Sequence, residues 1–369
     1  MEEIFKTIAP YSQDQILKTL IWLESSNEFI KGVQYFYPNW SRKLIIKKLQ
    51  SCKTCSDFQV TFIEMIIKNS INDTMASFEI VGLDDIDATN SLFISNHRDI
   101  FLDSALLQNH LYDIGNPFTE ISLGDNLMVS DTMKAVAKLN NMFTVFRGGK
   151  RMEQMKNSMN LSKYIRHSIV NKKVSSWIAQ GNGRTKDGSD VTATGLIKML
   201  LLSSEKDVKK SLDELNIVVS TISFEYEPCA FEKAHELSLI DKDGNYDKER
   251  FENINSLVKG IKQYKGNVKL VFEKLNSDNI VFLNNRKKDV ESIVSEIDRI
   301  VYKNYQLWKT NYMAYDLLHN DFKYQQHYNR EDIVKFKKYL KKSENEDVYY
   351  RLLKMYTNPI YNKNKTFSD

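Results

Sequence analysis

A change of hydrophobic period near residue 78 constrains this chain more than any other feature. From there to about residue 275, short β-prone runs alternate with helical stretches. Strands are expected at 78–83, 91–96, 118–124, 142–147, 174–181, 216–226 and 267–272. Helices are expected between them, at 99–110, 130–139, 152–170 and 193–203. Strands that alternate with helices imply an α/β layer fold, with a largely parallel or mixed sheet flanked by helices. Upstream, Ile16, Leu17, Leu20, Ile21 and Leu23 recur at helical spacing after Ser12, a plausible N-cap, and Pro38 interrupts the pattern. Downstream of Asn284 the chain reads as helical to its end. Three regions follow: a helical one at 1–77, an α/β core at 78–275 and a helical one at 276–369. No internal repeat is visible.

Composition excludes several classes. The chain has 369 residues, 42% apolar and 27% charged, so it is globular and long enough for a sizeable core. A net charge of +4 without a Lys/Arg block argues against a nucleic-acid partner. It suits anionic headgroups or phosphorylated substrates. Three cysteines, Cys52, Cys55 and Cys229, argue for a reducing compartment rather than a disulfide framework. Cys52 and Cys55 have C-x-x-C spacing, but a structural zinc site needs a second pair. No signal-peptide pattern opens the chain, and no apolar run reaches the roughly 18 residues that span a bilayer. The expected location is the cytoplasm, peripheral on the inner face of the membrane if the substrate is a lipid.

The segment Asn96-His97-Arg98-Asp99-Ile100-Phe101-Leu102-Asp103 carries the chemistry. His97 stands where a buried strand ends, the edge at which open α/β sheets bind ligands. Asp99 is a good N-cap. Asp103 comes four residues later and would share a helix face with Asp99. A carboxylate on one imidazole nitrogen fixes the tautomer and frees the other nitrogen to take a proton. The plainer alternative has Asp99 capping, Asp103 paired with Arg98 or a lysine, and His97 filling space. Arg147 ends the strand at 142–147, and Arg184 follows the strand at 174–181 within GNGRTKDG. Arginines among glycines at strand ends suit a phosphate, because the guanidinium donates two charge-assisted bonds. Either one alone would usually be a surface arginine in a turn.

In order, NHRDIFLD, MFTVFR, GNGRTKDG and VVSTISFEYEPC resemble the four motifs of the glycerol-3-phosphate and lysophosphatidate acyltransferase superfamily. The wider spans SLFISNHRDIFLDSALL, ISLGDNL and GRTKDGSDVTATGLIKM are similar to its soluble-looking bacterial branch. The resemblance covers about residues 78–275. It implies the glycerolphosphate acyltransferase fold and transfer of a fatty acyl group from acyl-CoA or acyl-ACP to a phosphorylated glycerol or lysolipid hydroxyl. His97 would be the base, oriented by Asp103 or Asp99. Arg147, Arg184, Gly183, Asn182 and Lys186 would bind substrate. No metal, cofactor or covalent acyl-enzyme is implied. The partners implied are the thioester donor, an acyl carrier protein among the donors, the acceptor and a membrane surface. The chain departs from the motifs at three places. Leu102 stands at the usual aspartate position, which leaves Asp99 and Asp103 as the acids. Asp103 is favoured because Asp99 has a capping role. Gly181 and Asn182 replace a glutamate, which points to another acceptor lipid or to a non-catalytic lipid- or carrier-binding protein as alternatives. Val219 replaces a proline.

Other signals have plainer readings. Asp241 to Asn245 is a charged turn, since its glycine comes too early for a calcium loop. His235-Glu236 lacks a second histidine. The run of Tyr302, Tyr305, Trp308, Tyr312 and Tyr315 is expected against the core rather than on headgroups. The basic, apolar stretch from Tyr35 to Leu49 fits either a membrane surface or a docked helix.

Overall fold

The computed structural model describes residues 3–366 apart from 85, 87, 205, 206, 250 and 344. Its centre is one seven-stranded mixed sheet. The strands are β1 (Met75–Val81), β2 (Leu92–Ser95), β3 (Glu120–Gly124), β4 (Met142–Val145), β5 (Ser176–Ala179), β6 (Ile217–Phe224) and β7 (Gly266–Lys274). They lie in the order β1-β7-β6-β2-β5-β3-β4. Only the β6–β7 pair is antiparallel. The run β6-β2-β5-β3-β4 is parallel throughout, so those strands end on one edge.

β2 is central and buried on both faces, which explains its uninterrupted apolar run. Leu92 and Ile94 point into a core formed with the helices Arg151–Arg166, Thr194–Leu200 and Arg286–Asn304. Phe93 points the other way, onto the helix Leu102–Asp113. Period-two alternation thus sends neighbours into two separate cores. A third core joins the N-terminal helices to Ala135 and Leu139. A fourth joins the helix Ala230–Asp243 to the C-terminal helices. The N-terminal segment is tied to the β4 edge. Ile8 O accepts from the Thr144 N–H at 2.9 Å, and buried Lys138 donates to Ile8 O and Ala9 O at 2.8 and 2.7 Å.

Two expectations need correction. The helix after His97 starts at Leu102, not Asp99, so Asp99 and Asp103 do not share a helical face. β1 starts at Met75, three residues before the expected start at 78, directly after the helix Glu64–Thr74. Of the aromatic run 302–315, Tyr302 and Tyr305 are buried, while Trp308, Tyr312 and Tyr315 are half-buried. The helix Arg42–Ser51 buries Ile45 and Leu49 against its neighbours, leaves Lys43 and Lys47 exposed and lays Lys48 over the Trp40 ring. No helix among the described residues is long and apolar enough to cross a membrane.

Candidate active site

The turn after β2 is set by a side chain that imitates backbone. Asn96 donates to Ile222 O at 3.0 Å and accepts from the Ile222 N–H at 2.8 Å. This extends the β2–β6 ladder one step beyond the strand and hands the chain on to His97. The His97 carbonyl then accepts from the Thr185 N–H at 2.6 Å, which ties it to the glycine-rich loop after β5.

Asp103 lies in the first turn of the helix Leu102–Asp113, where a carboxylate is favoured. It is fully buried, and its Oδ2 collects three N–H groups. These come from Arg98 N at 2.7 Å, Asp99 N at 2.9 Å and His97 Nδ1 at 2.9 Å. Burial pushes the Asp103 carboxyl above its usual range, and the bond from His97 works against that shift. With Nδ1 engaged, Nε2 is the imidazole nitrogen left for a substrate proton. The His97 side chain is 14% exposed, so solvent and ligand can reach it. Trp177 packs edge-on beside the ring, with centroids 6.1 Å apart.

Asp99 does something else. Its Oδ1 accepts from the N–H groups of Phe101 and Leu102 at 2.9 Å each, which caps the helix entry. The carboxylate bonded to His97 is therefore Asp103. The Arg98 side chain also escapes the pairing considered from sequence. Its guanidinium turns inward to Asp190, at 2.9 Å from Nε to Oδ1, and to Glu227, at 3.0 Å from Nη1 to Oε2. Burial opposes its charge, but Asp190 and Glu227 outweigh that and hold it well above the ordinary arginine value. Lys233 completes the group by donating to Arg98 O at 2.6 Å and to Glu227 Oε1 at 2.5 Å. The Glu227 N–H donates to Tyr356 OH at 3.0 Å, so the C-terminal helices brace the loop that carries His97.

His97, Arg147, Asn182, Gly183, Arg184 and Lys186 all line one cavity of about 710 Å³ at the shared strand edge. They converge because β2, β4 and β5 are parallel and each contributes the loop at its C-terminal end. Arg147 lies across Gly124 at the end of β3. A Cβ there would stand 2.8 Å from the Arg147 Nε, so a side chain would displace the guanidinium. Arg184 keeps a buried Nη1 without a hydrogen-bond partner. Lys186 differs: it is already paired with Glu236 at 2.5 Å. A second, mostly apolar cavity of about 760 Å³ shares Ile100, Ser104, Leu123, Leu127, Met142 and Asn253 with the first. Phe29, Val33, Val136, Leu257 and Val258 are among its walls.

Sequence reasoning missed Asp190, Glu227, Lys233 and this apolar cavity. Asp190 had the one available signal, as an acid two residues beyond the GRTKDG run. The cysteines are free, and no cluster of three or more metal-ligating side chains occurs among the described residues.

No protein-family profile matches the sequence, and no curated protein does. Among solved structures the chain is similar to the 1-acyl-sn-glycerophosphate (LPA) acyltransferase PlsC from Thermotoga maritima. That match has a TM-score of 0.36 and 12% identity, and covers 79% of this chain and 98% of that one. Chloroplast FtsY from Physcomitrella patens matches with a TM-score of 0.24 and 11% identity, covering 77% and 94%. At these scores neither likeness carries an argument, and the functional case rests on the site.

Proposed function

We propose that the chain transfers an acyl group from a thioester to a hydroxyl of a phosphorylated glycerol acceptor, either lysophosphatidate or glycerol 3-phosphate. The observation that carries this reading is the His97–Asp103 pair on the wall of a cavity that also presents Arg147 and Arg184. His97 Nε2 takes the acceptor proton as the hydroxyl oxygen attacks the thioester carbonyl. Asp103 holds the tautomer and stabilises the imidazolium that forms. The proton then passes to the departing thiolate. The two guanidinium groups suit the acceptor phosphate, and the adjoining apolar cavity offers room for the acyl chain.

The same machinery serves another acceptor lipid in a second reading. Its support is that Lys186 is occupied by Glu236, and that Asn182 replaces a glutamate of the motif. A panel decides between them. The protein is given a palmitoyl thioester with glycerol 3-phosphate, lysophosphatidate or a phosphate-free lysolipid, and ester formation is followed. The proposal expects the phosphorylated acceptors to be used at least about tenfold better, the worth of one or two charge-assisted bonds. Preference for the phosphate-free lipid supports the second reading. No ester with any acceptor refutes both.

A further inference from the structure

The chain from 180 to 193 forms neither helix nor strand, yet it presents Asn182, Gly183, Arg184 and Lys186 to the reaction cavity. Arg184 Nη1 is buried without a hydrogen-bond partner, so the loop backbone has to place that guanidinium. The inner side of the loop is held by the Thr185 N–H on the His97 carbonyl and by Asp190 on Arg98. Its outer side is held by the last helix, Glu346–Lys365. There Asn358 Nδ2 donates to Asp187 O at 2.7 Å, and Asn362 Nδ2 donates to Ser189 O at 2.6 Å. The two asparagines are four residues apart and share one helix face. Asparagine is a poor helix former, so the helix itself gains little from either. Between the two bonded carbonyls, Gly188 has φ +79°, and a Cβ on it would run into the Met355 carbonyl oxygen. Pro359 lies four residues after Met355 and has no N–H to give that carbonyl, which leaves it open to the loop. A glycine in the loop thus meets a proline and two asparagines in the helix.

We infer that Asn358 and Asn362 are positioning residues for acceptor binding: through the Asp187 and Ser189 carbonyls they hold Arg184 where the acceptor phosphate meets it. This rests on the acyl-transfer reading and adds the element that sets its acceptor affinity. With the outer bonds removed, the loop stays tethered by Thr185 and Asp190 but visits more positions. The guanidinium is then aligned for only part of the time, and affinity falls by that fraction. Asn358→Asp does more harm than Asn358→Ala, because a carboxylate turns acceptor oxygens toward the Asp187 carbonyl. Bonds that merely dock the helix would lower stability and leave the acceptor KM unchanged.

The test uses the full chain and compares the wild type with Asn358→Ala/Asn362→Ala, with Asn358→Ala alone, and with Lys354→Ala, an exposed position on the same helix. The double variant is expected to raise KM for the phosphorylated acceptor about tenfold, with kcat and the thioester KM within about threefold of wild type. Asn358→Ala is expected to raise the acceptor KM about threefold, and Lys354→Ala to leave it unchanged. Asn358 is half-buried, so its single variant decides the matter if the double variant does not fold. A double-mutant cycle separates positioning from docking. In an Arg184→Ala background the asparagine substitutions should raise the acceptor KM by less than about twofold more. Additive losses in that background, equal losses for donor and acceptor, or an unchanged acceptor KM overturn the inference. Calorimetric binding of glycerol 3-phosphate and of lysophosphatidate, without thioester, separates this claim from the reaction. If the wild type turns over no acceptor, the acyl-transfer reading fails. Acceptor binding that weakens about tenfold in the double variant, but not once Arg184 is already alanine, still supports the positioning role. Equal binding by the wild type and the double variant, or none of either acceptor by the wild type, overturns it.

Discussion

His97 Nδ1 lies 2.9 Å from Asp103 Oδ2, and that same oxygen also takes the backbone N–H groups of Arg98 and Asp99. One buried carboxylate thus fixes both the ring and the loop that carries it. Asp103→Asn should lower kcat about 10²- to 10⁴-fold with little change in KM, because an amide can turn a donor toward the ring and select the wrong tautomer. Asp99→Ala should keep kcat within about threefold while costing about 1 kcal/mol of stability, the usual loss for a helix cap. Steady-state kinetics and urea unfolding of both variants check this. A larger kcat loss for Asp99→Ala would reassign the pair.

Arg147 and Arg184 should act on acceptor binding. Arg147→Ala and Arg184→Ala should each raise KM for a phosphorylated acceptor roughly 10- to 100-fold, the worth of one charge-assisted contact. Lys substitutions should restore only part of this, since a point charge cannot make the planar two-bond contact. Lys186→Ala should have a smaller effect, because Lys186 is tied to Glu236. Acceptor titrations at saturating thioester read these changes. An unchanged KM in both alanine variants would remove the phosphate from the site.

The buried group Arg98, Asp190, Glu227 and Lys233 should reveal itself in stability. Glu227→Gln leaves Arg98 and Lys233 without half of their countercharge in a site that excludes water. Breaking one partner of such a group costs about 3–5 kcal/mol. Equilibrium urea unfolding should show that loss, and a change below about 1 kcal/mol would mean that the side chains rearrange to compensate.

Lys138 gives a pH dependence. Burial pulls its ammonium down to about 8. Between that value and the unfolded lysine value near 10.4, the unfolded chain holds more protons, so stability rises with pH. Relative to Lys138→Met, the wild type should gain stability from pH 7 to pH 10, approaching about 3 kcal/mol. Thermal unfolding of both proteins across that range reads the difference. A wild type that shows no gain, or a loss, relative to Lys138→Met as pH rises would show that Lys138 stays charged and well solvated by its two carbonyls.

How much of this was legible in the sequence depends on the range of the signal. The strand runs are visible because period two and period 3.6 are local properties. β2 to β7 fall within two residues of the expected spans, and β1 starts three residues early. The parallel order then brings His97, Arg147 and Arg184 to one edge without further information. The sequence favoured Asp103 over Asp99 on the capping argument but did not decide between them; the hydrogen bonds do. The choice turns on where the helix starts, and the turn at residues 97–101 delays that start by three residues. The Arg98 network was not legible, since Asp190, Glu227 and Lys233 lie 92 to 135 residues away and no local pattern couples them. The apolar cavity was hidden for a related reason. Its walls come from helices at 27–36, 131–139 and 252–262, whose apolar faces read individually as ordinary core.

The most direct measurement is the rate of ester formation from a palmitoyl thioester by the wild type and by His97→Ala. Far-ultraviolet and near-ultraviolet circular dichroism should first show that both are folded. Removal of the base should lower kcat at least about 10³-fold while thioester binding stays within a few-fold. Equal rates in the two folded proteins would contradict the account.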